Sequence, residues 1–128
     1  MADHDTSTPL ARAAGLGSAH RGTEHWWTQR VTGVALIPLT LWLVGSIVVH
    51  ARSGHGDLVA WLAAPFSMIA MPLLLIALFY HAALGLQVVI EDYVHSGLKF
   101  VAIVAVRLGS LILLCAGIVA LLHIAFSN

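Results

Sequence analysis

The chain has a single cysteine and very little charge. One thiol, Cys115, excludes an internal disulfide and cannot hold an iron–sulfur cluster, which takes about four ligands. Only 9% of the 128 residues are charged, and six basic side chains balance six acidic ones, so nothing in the charge favours nucleic acid. Internal repeats and low-complexity tracts are also missing. What remains is apolar: 59% of the residues are hydrophobic and the mean hydropathy is +0.92. A soluble domain of this size cannot hide that much apolar surface, so the bilayer must be its solvent.

Three apolar runs stand out, from Trp26 to His50, Phe66 to Ile90 and Leu98 to Phe126. Each reaches the ~20 residues needed to cross about 30 Å of hydrocarbon. The runs are continuous rather than alternating, which argues against an 8-stranded barrel. The expected fold is all-α, with transmembrane helices over about 26–50, 66–93 and 98–126. Residues 26–128 would form the anchor domain, preceded by a polar arm over 1–25. That arm carries Arg12 and Arg21 and lacks the apolar core of a signal peptide, so it reads as a retained cytoplasmic segment. Arg12, Arg21, Arg30 and Lys99 fall on one side and Arg52 alone on the other, which puts the N-terminus inside.

Within the spans, Trp26 and Trp27 suit a membrane boundary, while Pro38 and Pro72 interrupt the first and second helices. The outer connection, Ala51 to Ala64, has room for an interfacial turn around Leu58 to Leu62, and His95-Ser96-Gly97 reads as a tight inner turn. Ala105 and Gly109 form a small-xxx-small pair that admits another helix backbone.

The chemistry concentrates on the second span. Eleven helical steps of about 100° put His81 and Asp92 on one face, ~16 Å apart, with Gly85 and Val88 between them. His81 lies ~15 Å from the inner edge, near the bilayer midplane, where an ionisable group is functional by default. Imidazole is a ready axial ligand for haem iron, and the missing side chain at Gly85 leaves room for a porphyrin edge. No second histidine reaches the same depth. His50 and His123 fall near the outer surface and His95 just inside the membrane, all more than ~10 Å away along the normal. A six-coordinate haem must therefore borrow its other ligand from another chain. His50, His55, His95 and His123 read as interfacial.

If the first helix enters near Trp27, Arg30 falls only ~4 Å inside the inner edge, level with Asp92 and Tyr93. Quinone reduction needs donors to the carbonyl oxygens and a proton route. Arg30 and Tyr93 can donate and Asp92 can relay. Glu91 reads as a solvated cap, Arg107 as a snorkelling side chain ~12 Å into the third helix, and Thr32 and Gln87 as packing residues.

These residues resemble the small hydrophobic membrane-anchor subunits of succinate dehydrogenase (succinate:quinone oxidoreductase, complex II), the cytochrome b556 type. Their second helix carries histidine, glycine four residues on and Asp-Tyr eleven on, matched here by His81, Gly85 and Asp92-Tyr93. The run His25-Trp26-Trp27-Thr28-Gln29-Arg30-Val31-Thr32-Gly33 is similar to the family's first-helix pattern. The likeness implies a complex of four subunits in a bacterial inner (cytoplasmic) membrane. A flavoprotein oxidises succinate, an iron–sulfur protein carries electrons, and two anchors bind haem b and ubiquinone, linking the tricarboxylic acid cycle to respiration. It implies that His81 ligates the haem iron and that Gly85, Arg30 and His25 lie near the haem. It also puts Tyr93, Asp92 and Arg30 at the quinone and its proton path. This subunit would have no dehydrogenase activity alone. Two other readings stay open: an anchor of a quinol:fumarate reductase, and a haem-free structural membrane subunit in which His81 merely packs.

Overall fold

A computed structural model describes residues 18–127; residues 1–17, with Arg12, and Asn128 lie outside the described residues. Among the described residues four helices follow one another: α1 (Ser18–His50), α2 (His55–Ala63), α3 (Pro65–Tyr93) and α4 (Leu98–Phe126). No strand occurs among the described residues. Three of the helices are long and apolar enough to cross a membrane, over Thr23–His50, Pro65–Tyr93 and Leu98–Phe126. The chain is thus a multi-pass, all-α membrane protein.

Local chemistry sets the boundaries. Ala64 precedes Pro65, whose ring disfavours the helical region for the residue before it. Ala64 is accordingly extended (φ −62°, ψ 142°) and ends α2 while it starts α3. Pro65 then sits in the first turn of α3, where its missing N–H has no helical partner to lose. At the other end of α3, the one expected from the charges to be inner, Val94 leaves the helix after donating to Ile90 O, and Lys99 N–H closes the turn onto Ser96 O.

Helix α3 is the centre of the molecule and packs against both α1 and α4, while α2 lies across the outer ends of α3 and α4. Its buried residues are Ser67, Ala70, Leu74, Ala77 and Leu84. They repeat every three or four positions and make one stripe, built mostly of small side chains that let backbones approach. His81 falls in register on that stripe, four after Ala77 and three before Leu84. At the outer end Trp42 packs on Phe66 and Trp61, and His50 on Trp61, with ring centroids 5.2–5.9 Å apart. Little else is buried: none of the most apolar window of the first span is covered by the chain itself. These surfaces require lipid or partner helices.

Four expectations are adjusted. Helix α1 starts at Ser18, so eight residues of the proposed arm are helical and continuous with the first span. The outer connection holds a nine-residue helix rather than a single turn. Trp26 and Trp27 stand two turns inside α1 and pack edge to face, 5.2 Å apart. Finally, nothing lies within 4 Å of where a Cβ on Gly109 would be, whereas one on Gly117 would meet Leu75 Cδ1 at 3.1 Å. Gly117, not the Ala105–Gly109 pair, is where α3 and α4 come close.

Candidate functional site

The ring of His81 lies in the seam between α3 and α1. Its Nδ1 is 3.1 Å from Thr32 Oγ1 and its Nε2 is 3.4 Å from Gln29 Nε2. A Cβ on Gly33 would come within 3.3 Å of His81 Cε1, so the absent side chain there is what admits the imidazole edge. Gln29, Thr32 and Gly33 follow i, i+3, i+4 spacing and so share one face of α1. A Cβ on Gly85 would meet Gln29 Nε2 at 3.5 Å, an ordinary contact, so Gly85 borders the same pocket from α3. Gln29 Oε1 is buried and has no hydrogen-bond partner.

The seam changes the depth assigned to Arg30. Gln29 and Thr32, on either side of it, both reach His81, so Arg30 lies at the level of His81 and about 16 Å from Asp92. Helix α1 begins at Ser18, so three turns of it precede Gln29. Arg30 is exposed, with its guanidinium carbon 4.3 Å from the centroid of the Trp26 ring. Asp92 and Tyr93 stay together at the inner end of α3 and face outward, Tyr93 at 81% exposure. The three residues expected at one polar level are thus split into two.

The same register settles the other histidines. His50 lies 18 residues outward of Thr32 on α1, about 27 Å, and its Nδ1 donates to Ser46 O at 2.9 Å. His95 is 14 residues inward of His81, and His123 is 16 residues outward of Arg107. His25 lines a cleft of about 360 Å³ with Tyr80, Leu84, Gln87 and Arg107, away from the His81 ring. No cluster of three or more His, Cys, Asp or Glu able to hold a metal ion occurs among the described residues. A haem needs no such cluster, since the porphyrin supplies four of the nitrogens and the protein only the axial ligands.

On the other side of α3, Arg107 Nη2 donates to Gln87 Oε1 at 2.7 Å, and Gln87 Nε2 donates to Glu91 Oε1 at 2.8 Å. Lys99 Nζ donates to the backbone oxygen of Glu91 at 3.2 Å. Arg107 therefore does not simply snorkel, and Gln87 is a bridge rather than packing. Sequence reading missed Thr32, Gln29, Gly33 and Gln87 as partners. The i, i+3, i+4 pattern on α1 was available, but the register that aims it at His81 was not.

The fold and site define a class: a three-span membrane protein that offers one histidine at mid-span and an acid–phenol pair at a helix end. The chain belongs to a particular family of that class. Residues 4–125 match the family described as succinate dehydrogenase/fumarate reductase transmembrane subunit. It is 35% identical over 121 residues to the succinate dehydrogenase hydrophobic membrane anchor subunit of Rickettsia bellii, covering 94% of this chain and 97% of that one. It is 34% identical over 97 residues to the protein of the same description from Paracoccus denitrificans, covering 76% and 75%. No solved structure matches it.

Proposed function

We propose that this chain is the small membrane anchor of a succinate:quinone oxidoreductase, with no dehydrogenase activity of its own. With a second anchor it would hold haem b and ubiquinone beneath a flavoprotein and an iron–sulfur subunit. The names of the relatives favour succinate oxidation over the fumarate-reducing direction. The N-terminus is assigned to the cytoplasmic face of a bacterial inner membrane by the excess of arginine before and early in the first span.

The observation that carries the reading is His81, an imidazole on the buried stripe of the central helix. The residues around it fit an axial haem ligand. The ring is fixed by Thr32 and Gly33, and the buried Gln29 amide beside Nε2 is poorly satisfied and free to give way. A merely packed histidine would be expected to sit among fully bonded neighbours. Haem b, when bound, supplies a one-electron carrier on the way to quinone. His81 would hold the haem iron through one ring nitrogen, and a second ligand would come from the partner anchor, since among the described residues no other histidine is bonded beside the His81 ring. Arg30, at that level, is suited to a haem propionate rather than to the quinone. Gly85 and His25 are assigned to the haem surroundings on family likeness alone. At the inner end, Tyr93 Oη donates to a quinone carbonyl oxygen as negative charge grows there, and Asp92 hands on the proton.

The test is the reduced-minus-oxidised spectrum of the purified four-subunit complex. His81→Ala is expected to remove or weaken the low-spin b-type band while the complex still assembles. An unchanged band would refute the assignment and leave the haem-free structural reading.

A further inference from the structure

Thr32 is the polar neighbour that faces His81 Nδ1 across the seam. Thr32 Oγ1 lies 2.7 Å from Thr28 O and 3.1 Å from Gln29 O, and both are carbonyls that only accept. A hydroxyl has one proton, so Thr32 donates backward into its own helix and turns its lone pairs to the third neighbour, His81 Nδ1. With the hydroxyl proton spent on the helix carbonyls, the ring nitrogen is the donor. In a neutral imidazole with the proton on Nδ1, the lone pair is on Nε2.

What faces that lone pair is a poor fit. Gln29 Nε2 approaches it at 3.4 Å, a long hydrogen bond, and the other end of the amide, Oε1, is buried without a partner. With the proton on Nδ1, turning the amide over would only aim its oxygen at an unprotonated nitrogen. A buried carbonyl left unbonded is costly, so the amide gains by being moved once something stronger takes the Nε2 lone pair. Meanwhile the ring has no freedom to turn toward α1, because its Cε1 edge already lies against Gly33.

We infer that Thr32 is the positioning residue for haem ligation: it accepts a hydrogen bond from the Nδ1–H of His81 and leaves Nε2 to face the iron. Gln29 is the group that yields its place on Nε2. The inference rests on the haem role proposed above. Ligating histidines commonly donate their second ring N–H to an acceptor, and losing that acceptor weakens metal affinity about 10–100-fold. The acceptor here is a neutral hydroxyl rather than a carboxylate, so the ligand stays an imidazole with only modest extra donor strength.

The experiment compares Thr32→Val, which keeps the branched shape and removes the acceptor, with Thr32→Ser, which restores it. In the purified complex, Thr32→Val makes His81 a weaker donor and favours ferrous over ferric iron. The midpoint potential is expected to rise, by about 59 mV for each tenfold loss of ferric preference. Thr32→Ser is expected to return it to the wild-type value. A potential unmoved by Thr32→Val, or not restored by Thr32→Ser, overturns the inference. A second measurement needs neither haem nor a variant: solid-state NMR of the full chain in bilayers with ¹⁵N-labelled histidine. His81 is expected to carry its proton on Nδ1, and a proton found on Nε2 overturns the inference even if Thr32→Val fails to assemble. Failure of the haem reading itself is a separate result, an unchanged b-type band in His81→Ala, and the tautomer measurement does not depend on it.

Discussion

At the level of His81 the chain supplies a partner for each part of the ring: a hydroxyl for Nδ1, an amide for Nε2 and a bare backbone for the Cε1 edge. Twelve residues and about 18 Å along the same helix, Tyr93 is 81% exposed, and among the described residues no side chain bonds to it or to Asp92. The stretch of α3 from His81 to Tyr93 thus has a closed end at mid-span, a half-site already organised by its own chain. The other only contributes groups to a site whose remaining walls belong to other subunits. Preorganisation matters most where a ring must meet a metal at fixed geometry. A quinone that enters and leaves needs an accessible face instead. Damage at the two ends should therefore differ in kind: at His81 it should show in cofactor retention, at Tyr93 in turnover alone.

The largest effect is expected at the open end. Tyr93→Phe keeps the ring and removes only the hydroxyl donor. Loss of one donor to a developing oxyanion costs about 10²–10³ in rate at a dry site, and less where water reaches it. Quinone-linked turnover should fall by up to that factor, while dye reduction at the flavin, haem content and thermal stability stay at wild-type values. The comparison breaks if Tyr93→Phe lowers quinone and dye activities equally, because the phenol would then be supporting assembly.

The closed end is probed by Gly33→Leu. A Cβ there already stands 3.3 Å from His81 Cε1, and the rest of a leucine must push the imidazole out of the seam. Overpacking of this kind costs about 1–3 kcal/mol, equivalent to roughly ten- to hundredfold weaker haem retention. Haem per flavin, measured on the purified complex, is the readout. Gly109→Leu is the control, since a Cβ there would meet nothing within 4 Å inside this chain. Equal haem content in both variants would mean that Gly33 does not shape the pocket.

The two ends also differ in how far the sequence revealed them. His81, Gly85, Asp92 and Tyr93 sit on one helix, and helical geometry alone fixes their mutual spacing. The spans were legible for the same reason: composition marks where a helix is apolar enough to cross. What crosses between helices was not legible. Arg30 was assigned to the level of Asp92 because the apolar run starts at Trp26, but Gln29 and Thr32 meet His81, which shifts the register by about three turns. Thr32 looked like a packing residue, and Gln29 had no role of its own, until that register aimed them at His81. Arg107 looked like a lone snorkelling side chain because its acceptor, Gln87, is twenty residues away on another helix.

The smallest effect is expected between the two ends, where Gln87 ties α3 to α4. It accepts from Arg107 at 2.7 Å and donates to Glu91 at 2.8 Å, so Gln87→Leu leaves a cation without its acceptor and a carboxylate without its donor. Each lost bond is worth about 1 kcal/mol net. Arg107 can recover part of this by extending its long stem toward the head groups. The unfolding midpoint of the purified complex in mild detergent should fall modestly, with the b-type band and quinone turnover unchanged. Replacing both partners, Gln87→Leu with Arg107→Leu, removes the orphaned cation along with its acceptor. The double variant should then be less destabilised than the sum of the singles, by a coupling of about 1 kcal/mol. Strict additivity would mean that Arg107 is held by lipid or by the partner anchor and that its bond to Gln87 contributes nothing. A loss of haem in Gln87→Leu would instead mean that the half-site at His81 extends around α3, and the division between a closed end and an open one would have to be redrawn.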